Sequence, residues 1–499
     1  MKEILNKTFW QLLIVYSVVV TLVYFNLLNK FALEFQLFGL ALAIFGFFVV
    51  SKKRDSIDIS QWWVLAILGF VIITRLLPYI NNSVPLGYDP GIYKHIFESF
   101  ISGNSWNDMP PGLNYFVSLF YFMGLNSWHI LVWLFVAIDV FLGYCVFLSS
   151  KEWFGKNAGL LALLVYAVSY TQFMAFWYNY YKNVFAMCLL LLALYFYKKE
   201  FKHKWIGWLL FVAFAGYLGG THRPTFLIFG VGMSVYAIVD VIVKKNYRKF
   251  GRDLLLGAGV LVVALSFYMG NFDTLIMPGV QNVVKGNIGA GSFYGYNDFI
   301  LYSLAYFPLA LLGCVFLLRK FNPFFAWFII NFFIVFFRLI FYNRFIIQLD
   351  LAMVILSGAG LAYLLERKKI FTAVVISLLV ISSGFFVLSE SYHSKPLISE
   401  KELEEIKNLP VGEKDTLISP HKHYSPWLLG WTDARIIAPG LWNDKWTRKE
   451  WNIFWNSDNI TKINELLSDY EKPLYFYAGK MDAEKFESYE IADNLYRFK

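Results

Sequence analysis

The passage Val84-Pro85-Leu86-Gly87-Tyr88-Asp89-Pro90-Gly91-Ile92-Tyr93-Lys94-His95 gathers a carboxylate, two tyrosines, a lysine and a histidine around a turn of prolines and glycines. It follows an apolar stretch long enough to cross a bilayer. Lipid gives no reason to keep such groups at a membrane rim, so chemistry or binding is the first expectation. An Asx-type turn would by itself explain Asp89-Pro90-Gly91. The argument for more comes from a cationic set. Lys182 and Arg223 lie at ends of apolar stretches, Arg344 lies in a tight turn between two, and Arg75 and Arg338 fall within a turn or two of such ends. Each alone is consistent with snorkelling to the interface. Several near one membrane face fit a site for an anionic group such as a lipid phosphate, which guanidinium forks bind well. Asp139 and Asp350, inside apolar stretches, suit the structural task of neutralising Arg75 or Arg338. Gln348, four residues after Arg344, shares its helix face. His222 stands with Arg223 in Gly219-Gly220-Thr221-His222-Arg223-Pro224, where irregular backbone is expected.

The elements that must position these residues are membrane helices. Of 499 residues, 58% are hydrophobic and 20% aromatic, which excludes a soluble domain and gives a polytopic α-helical membrane protein. Spans are expected near 9–29, 33–50, 62–80, 127–149, 157–175, 183–198, 205–220, 224–243, 253–270, 299–318, 322–341, 345–365 and 369–388, about thirteen crossings. With the N-terminus cytoplasmic, the inner loops hold twenty-one Lys and Arg and the outer loops six. That asymmetry is a positive-inside signature and requires an odd number of crossings. It places the 84–95 passage, and everything after the last span, on the extracytoplasmic side of a cell (plasma) membrane. The net charge of +9 is then a matter of topology, and no nucleic-acid partner is implied. Residues 9–29 are too long for a cleaved signal and lack its small-residue cleavage site. Cys145, Cys188 and Cys314 lie within spans, so no disulfide framework is expected.

Three regions stand apart from the spans, which make a transmembrane domain over residues 1–389. Residues 81–126 read as two short interfacial helices around a loop containing Asp108. The glycine-rich loop 271–298, with Lys285, suits either a lid or an ordinary connector. Residues 390–499 turn soluble in composition and read as a small extracytoplasmic α/β domain. Its expected strands are 416–419, 434–438 and 474–478. Its expected helices begin at the Ser399/Glu402 capping box, near Trp446 and after Asn459. The tryptophan-rich stretch 427–455 suits sugar stacking or a domain core. No zinc spacing and no Walker or GxGxxG loop is present.

The run Met109-Pro110-Pro111-Gly112-Leu113-Asn114-Tyr115-Phe116 resembles the Pro-Pro-x-x-x-Tyr signature of the protein O-mannosyltransferase and aminoarabinose-transferase branch of the GT-C glycosyltransferases. Phe154–Ala162 is similar to that family's segment after its second helix, and Asp89 stands where the family keeps its catalytic acid. The resemblance covers roughly residues 60–240. It implies a GT-C-like enzyme that transfers a sugar from a polyprenyl- or dolichyl-phosphate donor to a glycan, lipid or protein acceptor. Asp89 would then be the general base that deprotonates the acceptor hydroxyl. Arg344 and Arg223, followed by Lys182 and Lys94, would stabilise the departing phosphate. Tyr88, Tyr93, His95, Asp108 and His222 complete the candidate binding set. Two features depart from the family: Asp89 is followed by Pro90 in place of an acidic residue, and Tyr181-Lys182-Asn183 replaces a common acidic position. Asp-Pro is closer to the oligosaccharyltransferase catalytic subunit, a metal-dependent relative whose Trp-Trp-Asp motif is not present. A divalent ion, magnesium or manganese with Asp89 as a ligand, therefore stays open. So does a lipid-linked sugar transporter or flippase, although the ionisable residues cluster at one face and do not line a midplane path.

Overall fold

A computed structural model describes residues 2–25, 32–50, 58–103, 109–269, 294–317, 321–339, 342–419, 423–439, 443–457, 459–480 and 483–498. Each of the thirteen apolar stretches contains helix, as it must where lipid offers the backbone no hydrogen bonds. Among the described residues, seven helices are long and apolar enough to cross a membrane: Glu3–Tyr24, Trp62–Tyr79, Ser127–Phe154, Tyr181–Lys198, Arg223–Lys244, Tyr342–Leu365 and Lys369–His393. Two bent pairs raise the count to nine, namely Lys156–Val168 with Tyr170–Trp177, bent by 57°, and Tyr296–Tyr302 with Phe307–Val315, bent by 77°. The chain is a multi-pass membrane protein. Asp108 and most of the 271–298 loop, including Lys285, lie outside the described residues.

Two compact units form. The bundle unit holds Met1–Pro78, Asn107–Phe116 and Leu134–Ser394. Its most buried element is the helix Tyr342–Leu365, enclosed along almost its whole length. Small residues let its neighbours approach: Gly358 packs on the backbone of Ala162, Gly360 on the Leu309 carbonyl, and Gly313 on the Leu356 carbonyl.

Asp350 of that helix is hydrogen-bonded from both bends. Ser169, between the first bent pair, and Gln172 each hydrogen-bond its carboxylate at 2.8 Å. The Tyr306 hydroxyl, at the second break, bonds the other carboxylate oxygen. Neutral donors, Thr171 among them, thus satisfy a fully buried acid, and among the described residues no arginine pairs with it. Asp139 is the one that neutralises Arg75, through an ion pair of 2.7 Å with both side chains buried. The Arg75 guanidinium also lies 5.3 Å and 5.4 Å from the Phe173 and Phe176 ring centres. Arg338 instead covers the Tyr296 ring at 4.9 Å.

The second unit holds Tyr79–Trp106, Val117–Trp133 and Lys395–Lys499. Its sheet has the order β2-β1-β3-β5-β4, with β1 Thr416–Ile418, β2 Arg435–Ile437, β3 Leu474–Tyr477, β4 Glu490–Ala492 and β5 Leu495–Phe498. β1 pairs in parallel with β2 and β3, and the β3–β5 and β4–β5 pairs are antiparallel. Strand alternation sends Leu417, Ile436 and Tyr475 into one core, and Ile418, Ile437 and Phe476 into another on the opposite face. Trp427, Trp446 and Trp451 are buried in these cores, so most of the tryptophan-rich stretch is packing. Val84 and Ile92 join the first core, which ties the 84–95 passage to the sheet.

Candidate functional site

Within the second unit, the chain reaches Asp89 through a tightly bound loop. Asn82 brackets Val84, donating from Nδ2 to its carbonyl at 2.8 Å and accepting its N–H at 3.0 Å. The Ser83 N–H donates to Glu400 at 2.7 Å, and the Trp128 indole donates to the Ser83 carbonyl at 2.6 Å. Gly87 takes φ +85°, a left-handed conformation that favours glycine. Asp89 then becomes the N-cap of the helix Pro90–Ile101, with Pro90 at its first position. Its carbonyl accepts the Tyr93 N–H at 3.0 Å, but its carboxylate makes no cap. The Asx-type role open to Asp-Pro-Gly is thus not taken up by the side chain, which is half-buried.

The helix start is clamped by backbone contact. Gly91 meets the Pro426 carbonyl, and Gly430 lies so close that a β-carbon there would stand 2.5 Å from the Gly91 Cα. The helix Ser425–Trp431 therefore fixes the turn that carries Asp89. Around it, Lys94 pairs with Glu98 at 2.7 Å and lies 5.6 Å from the Trp431 ring centre. Tyr93 is buried and stacks on Phe97. Burial, and then the Asp89 carboxylate, push the Tyr88 hydroxyl pKa well up. Burial and the neighbouring Lys94 charge lower the His95 pKa, although Glu98 and the Leu429 backbone oppose them.

Within the bundle unit, four of the sequence candidates come together. Lys182 lies in the first turn of Tyr181–Lys198, Arg223 opens Arg223–Lys244, and Arg344 lies in the first turn of Tyr342–Leu365. Between the helices Lys204–Thr221 and Arg223–Lys244, His222 takes extended backbone, φ −146° and ψ 101°. Its imidazole is buried, and the charges of Lys182, Arg344 and Arg223 all bear on it. Burial first, and those three cations next, hold its pKa well below the ordinary value, so the ring is neutral.

The proline-glycine motif belongs to the same neighbourhood. A β-carbon on Gly112 would stand 2.5 Å from Thr221 Oγ1 and 2.6 Å from the Gly220 carbonyl, so only glycine fits. Tyr217 donates to the Gly112 carbonyl at 2.8 Å, and Lys182 Nζ lies 3.5 Å from Met109 Sδ. Tyr268 donates to the Gly219 carbonyl at 2.6 Å. Sequence reading missed Thr225 and the part played by Gln348. His222 Nδ1 is 2.6 Å from Thr225 Oγ1, which accepts from Gln348 Nε2 at 2.9 Å. The available signal was a threonine three residues after a histidine that stands just before a helix.

Three cations from three helix starts around a neutral imidazole form an anion-binding arrangement. Among the described residues, no three of His, Cys, Asp and Glu gather as a metal site requires.

Residues 108–269 match the family model described as dolichyl-phosphate-mannose-protein mannosyltransferase. No curated protein matches the chain by sequence. Among solved structures, the apo oligosaccharyltransferase of Archaeoglobus fulgidus aligns with a TM-score of 0.61 at 15% identity, over 84% of this chain and 69% of that one. The same archaeal enzyme, AglB, in complex with an inhibitory peptide and a dolichol-phosphate gives 0.59 at 15%, over 84% and 70%. It has also been solved with zinc and sulfate. ArnT from Cupriavidus metallidurans bound to undecaprenyl phosphate gives 0.59 at 14%, over 83% and 92%. This chain thus has the fold of the GT-C glycosyltransferases, and within it residues 108–269 follow the pattern of the dolichyl-phosphate-mannose-protein mannosyltransferase family.

Proposed function

We propose that the protein is a membrane glycosyltransferase that moves a sugar from a polyprenyl- or dolichyl-phosphate donor to an acceptor hydroxyl. Asp89 takes the acceptor proton, the acceptor oxygen attacks the anomeric carbon, and the bond to the phosphate oxygen breaks. The lipid phosphate leaves with that electron pair, and Lys182, Arg223 and Arg344 stabilise its growing charge. Preorganised cations in a water-poor site are worth far more than in water, because no reorganisation is needed as charge develops.

The observation that carries this reading is the convergence of those three cations on buried His222, beside the Pro110-Pro111-Gly112 turn and inside the family-matched span. The arrangement suits a phosphate. The two structural relatives also carry polyprenyl or dolichol phosphate in their solved complexes. The protein is placed in the plasma membrane with about thirteen crossings, and the basic-residue asymmetry supports an odd number of them, a cytoplasmic N-terminus and extracytoplasmic chemistry. The change in composition after the last apolar stretch supports a division into a transmembrane domain over 1–389 and an extracytoplasmic domain over 390–499.

The test is organic extraction of the purified protein followed by mass spectrometry of the bound lipid. A polyprenyl phosphate, or its glycosylated form, should co-purify with the wild type and be lost from the Arg223→Ala/Arg344→Ala double variant. Recovery of phospholipid alone from both would overturn the reading. The match to the archaeal oligosaccharyltransferase favours a second reading, transfer of a whole glycan to asparagine with a divalent ion such as magnesium or manganese. Metal-dependent labelling of an Asn-x-Thr peptide would select it.

A further inference from the structure

Gln348, Thr225 and His222 form a buried chain of side-chain hydrogen bonds. Gln348 lies one helical turn beyond Arg344, and its Nε2 donates to Thr225 Oγ1 at 2.9 Å. The hydroxyl oxygen accepts from the amide and keeps its own proton to give, with His222 Nδ1 2.6 Å away as a partner within reach. A ring that accepts at Nδ1 carries its proton on Nε2. All three side chains are buried, at 7% exposure for His222, 1% for Thr225 and 4% for Gln348. The charged groups acting on the ring, Lys182, Arg344 and Arg223, come from three helix starts.

Resting on the donor-phosphate reading, we propose that Thr225 and Gln348 are positioning residues. They fix His222 as the Nε2–H tautomer, so that the ring donates a hydrogen bond to an anionic oxygen of the lipid phosphate. The physical gain is a further donor without a further charge. A fourth cation would be repelled by the three already present and would hold the phosphate product after transfer. A neutral N–H adds one charge-assisted hydrogen bond and releases the product more readily. The same lock withdraws His222 from base chemistry, because its one lone pair is already engaged.

The test uses the full chain in nanodiscs with ¹⁵N-labelled histidine, titrated with undecaprenyl phosphate. In the wild type, His222 should show an unprotonated Nδ1 and a protonated Nε2, and the Nε2 signal should move on lipid addition. Thr225→Val should weaken undecaprenyl phosphate binding about tenfold, the scale of one hydrogen bond to a charged group. Thr225→Ser should restore it, and His222→Gln, which keeps an amide donor, should bind better than His222→Phe. A proton on Nδ1 in the wild type would overturn the proposal, as would unchanged binding in a folded Thr225→Val protein. If Thr225→Val fails to fold, the wild-type tautomer and the His222 pair still decide it. A wild type that binds no undecaprenyl phosphate at all would bring down the broader donor reading first. Loss confined to the His222 and Thr225 variants is the pattern this proposal requires.

Discussion

Asp89 serves its turn through its backbone. The turn needs only the residue's backbone, which accepts the Tyr93 N–H, while the side chain leaves the helix uncapped. Glu402 shows the opposite economy in the same unit. Burial would raise its pKa, but the Ser399 backbone and hydroxyl, the Tyr424 hydroxyl and Lys480 together hold it down to about 2. A carboxylate with a depressed native pKa stabilises the fold above its unfolded pKa, and that contribution is lost as pH falls toward the native value. Glu402→Gln should therefore cost about 1–3 kcal/mol at pH 7. The gap from wild type should close between roughly pH 4.3 and pH 2. Thermal unfolding of both proteins across that range checks it, and a gap that stays constant would refute it.

At the scale of elements, the decisive contact is backbone against backbone. Because Gly91 touches the Pro426 carbonyl and Gly430 faces the Gly91 Cα, any β-carbon at Gly91 must push the Pro90–Ile101 helix off Ser425–Trp431. Gly91→Ala should cost about 1–3 kcal/mol as overpacking. It should also slow transfer by up to about 100-fold, since a displacement of about 1 Å can cost that much. Donor-lipid retention by the bundle should be unchanged. Parallel measurements of turnover and co-purifying lipid would show both effects, and wild-type turnover would refute the clamp.

Elements are also where sequence reading reached its limit. The apolar stretches were plain from composition, and β1, β2 and β3 were plain from short β-branched and aromatic runs. The bonds that join the bends at Ser169 and Tyr306 to Asp350 were not legible, because Asp350 lies more than 40 residues away along the chain from either. β4 and β5 were missed because Glu490–Phe498 mixes charges with apolar residues over very short strands. Asp89 and the cations could be listed from the sequence. The hydrogen-bond chain through Thr225 could not, since its third member arrives 123 residues later.

For the whole molecule, the claim is one of sidedness. On the proposed topology, which rests on twenty-one basic residues against six, Lys401 is outside and Lys202 inside. Cysteine introduced at the exposed Lys401 should react with a membrane-impermeant maleimide in intact cells. Cysteine at Lys202 should react only after permeabilisation. The reverse pattern would place the chemistry on the nucleotide-sugar side and undo the need for a lipid donor.

The most direct measurement follows a radiolabelled sugar from polyprenyl phosphate in purified, reconstituted protein supplied with the host's membrane acceptors. The account predicts that label moves to product with release of one free lipid phosphate per sugar transferred. It also predicts that Asp89→Asn slows this by about 10²–10⁴-fold while still holding the donor. Equal rates for variant and wild type, or label that crosses the bilayer still attached to its lipid, would contradict it.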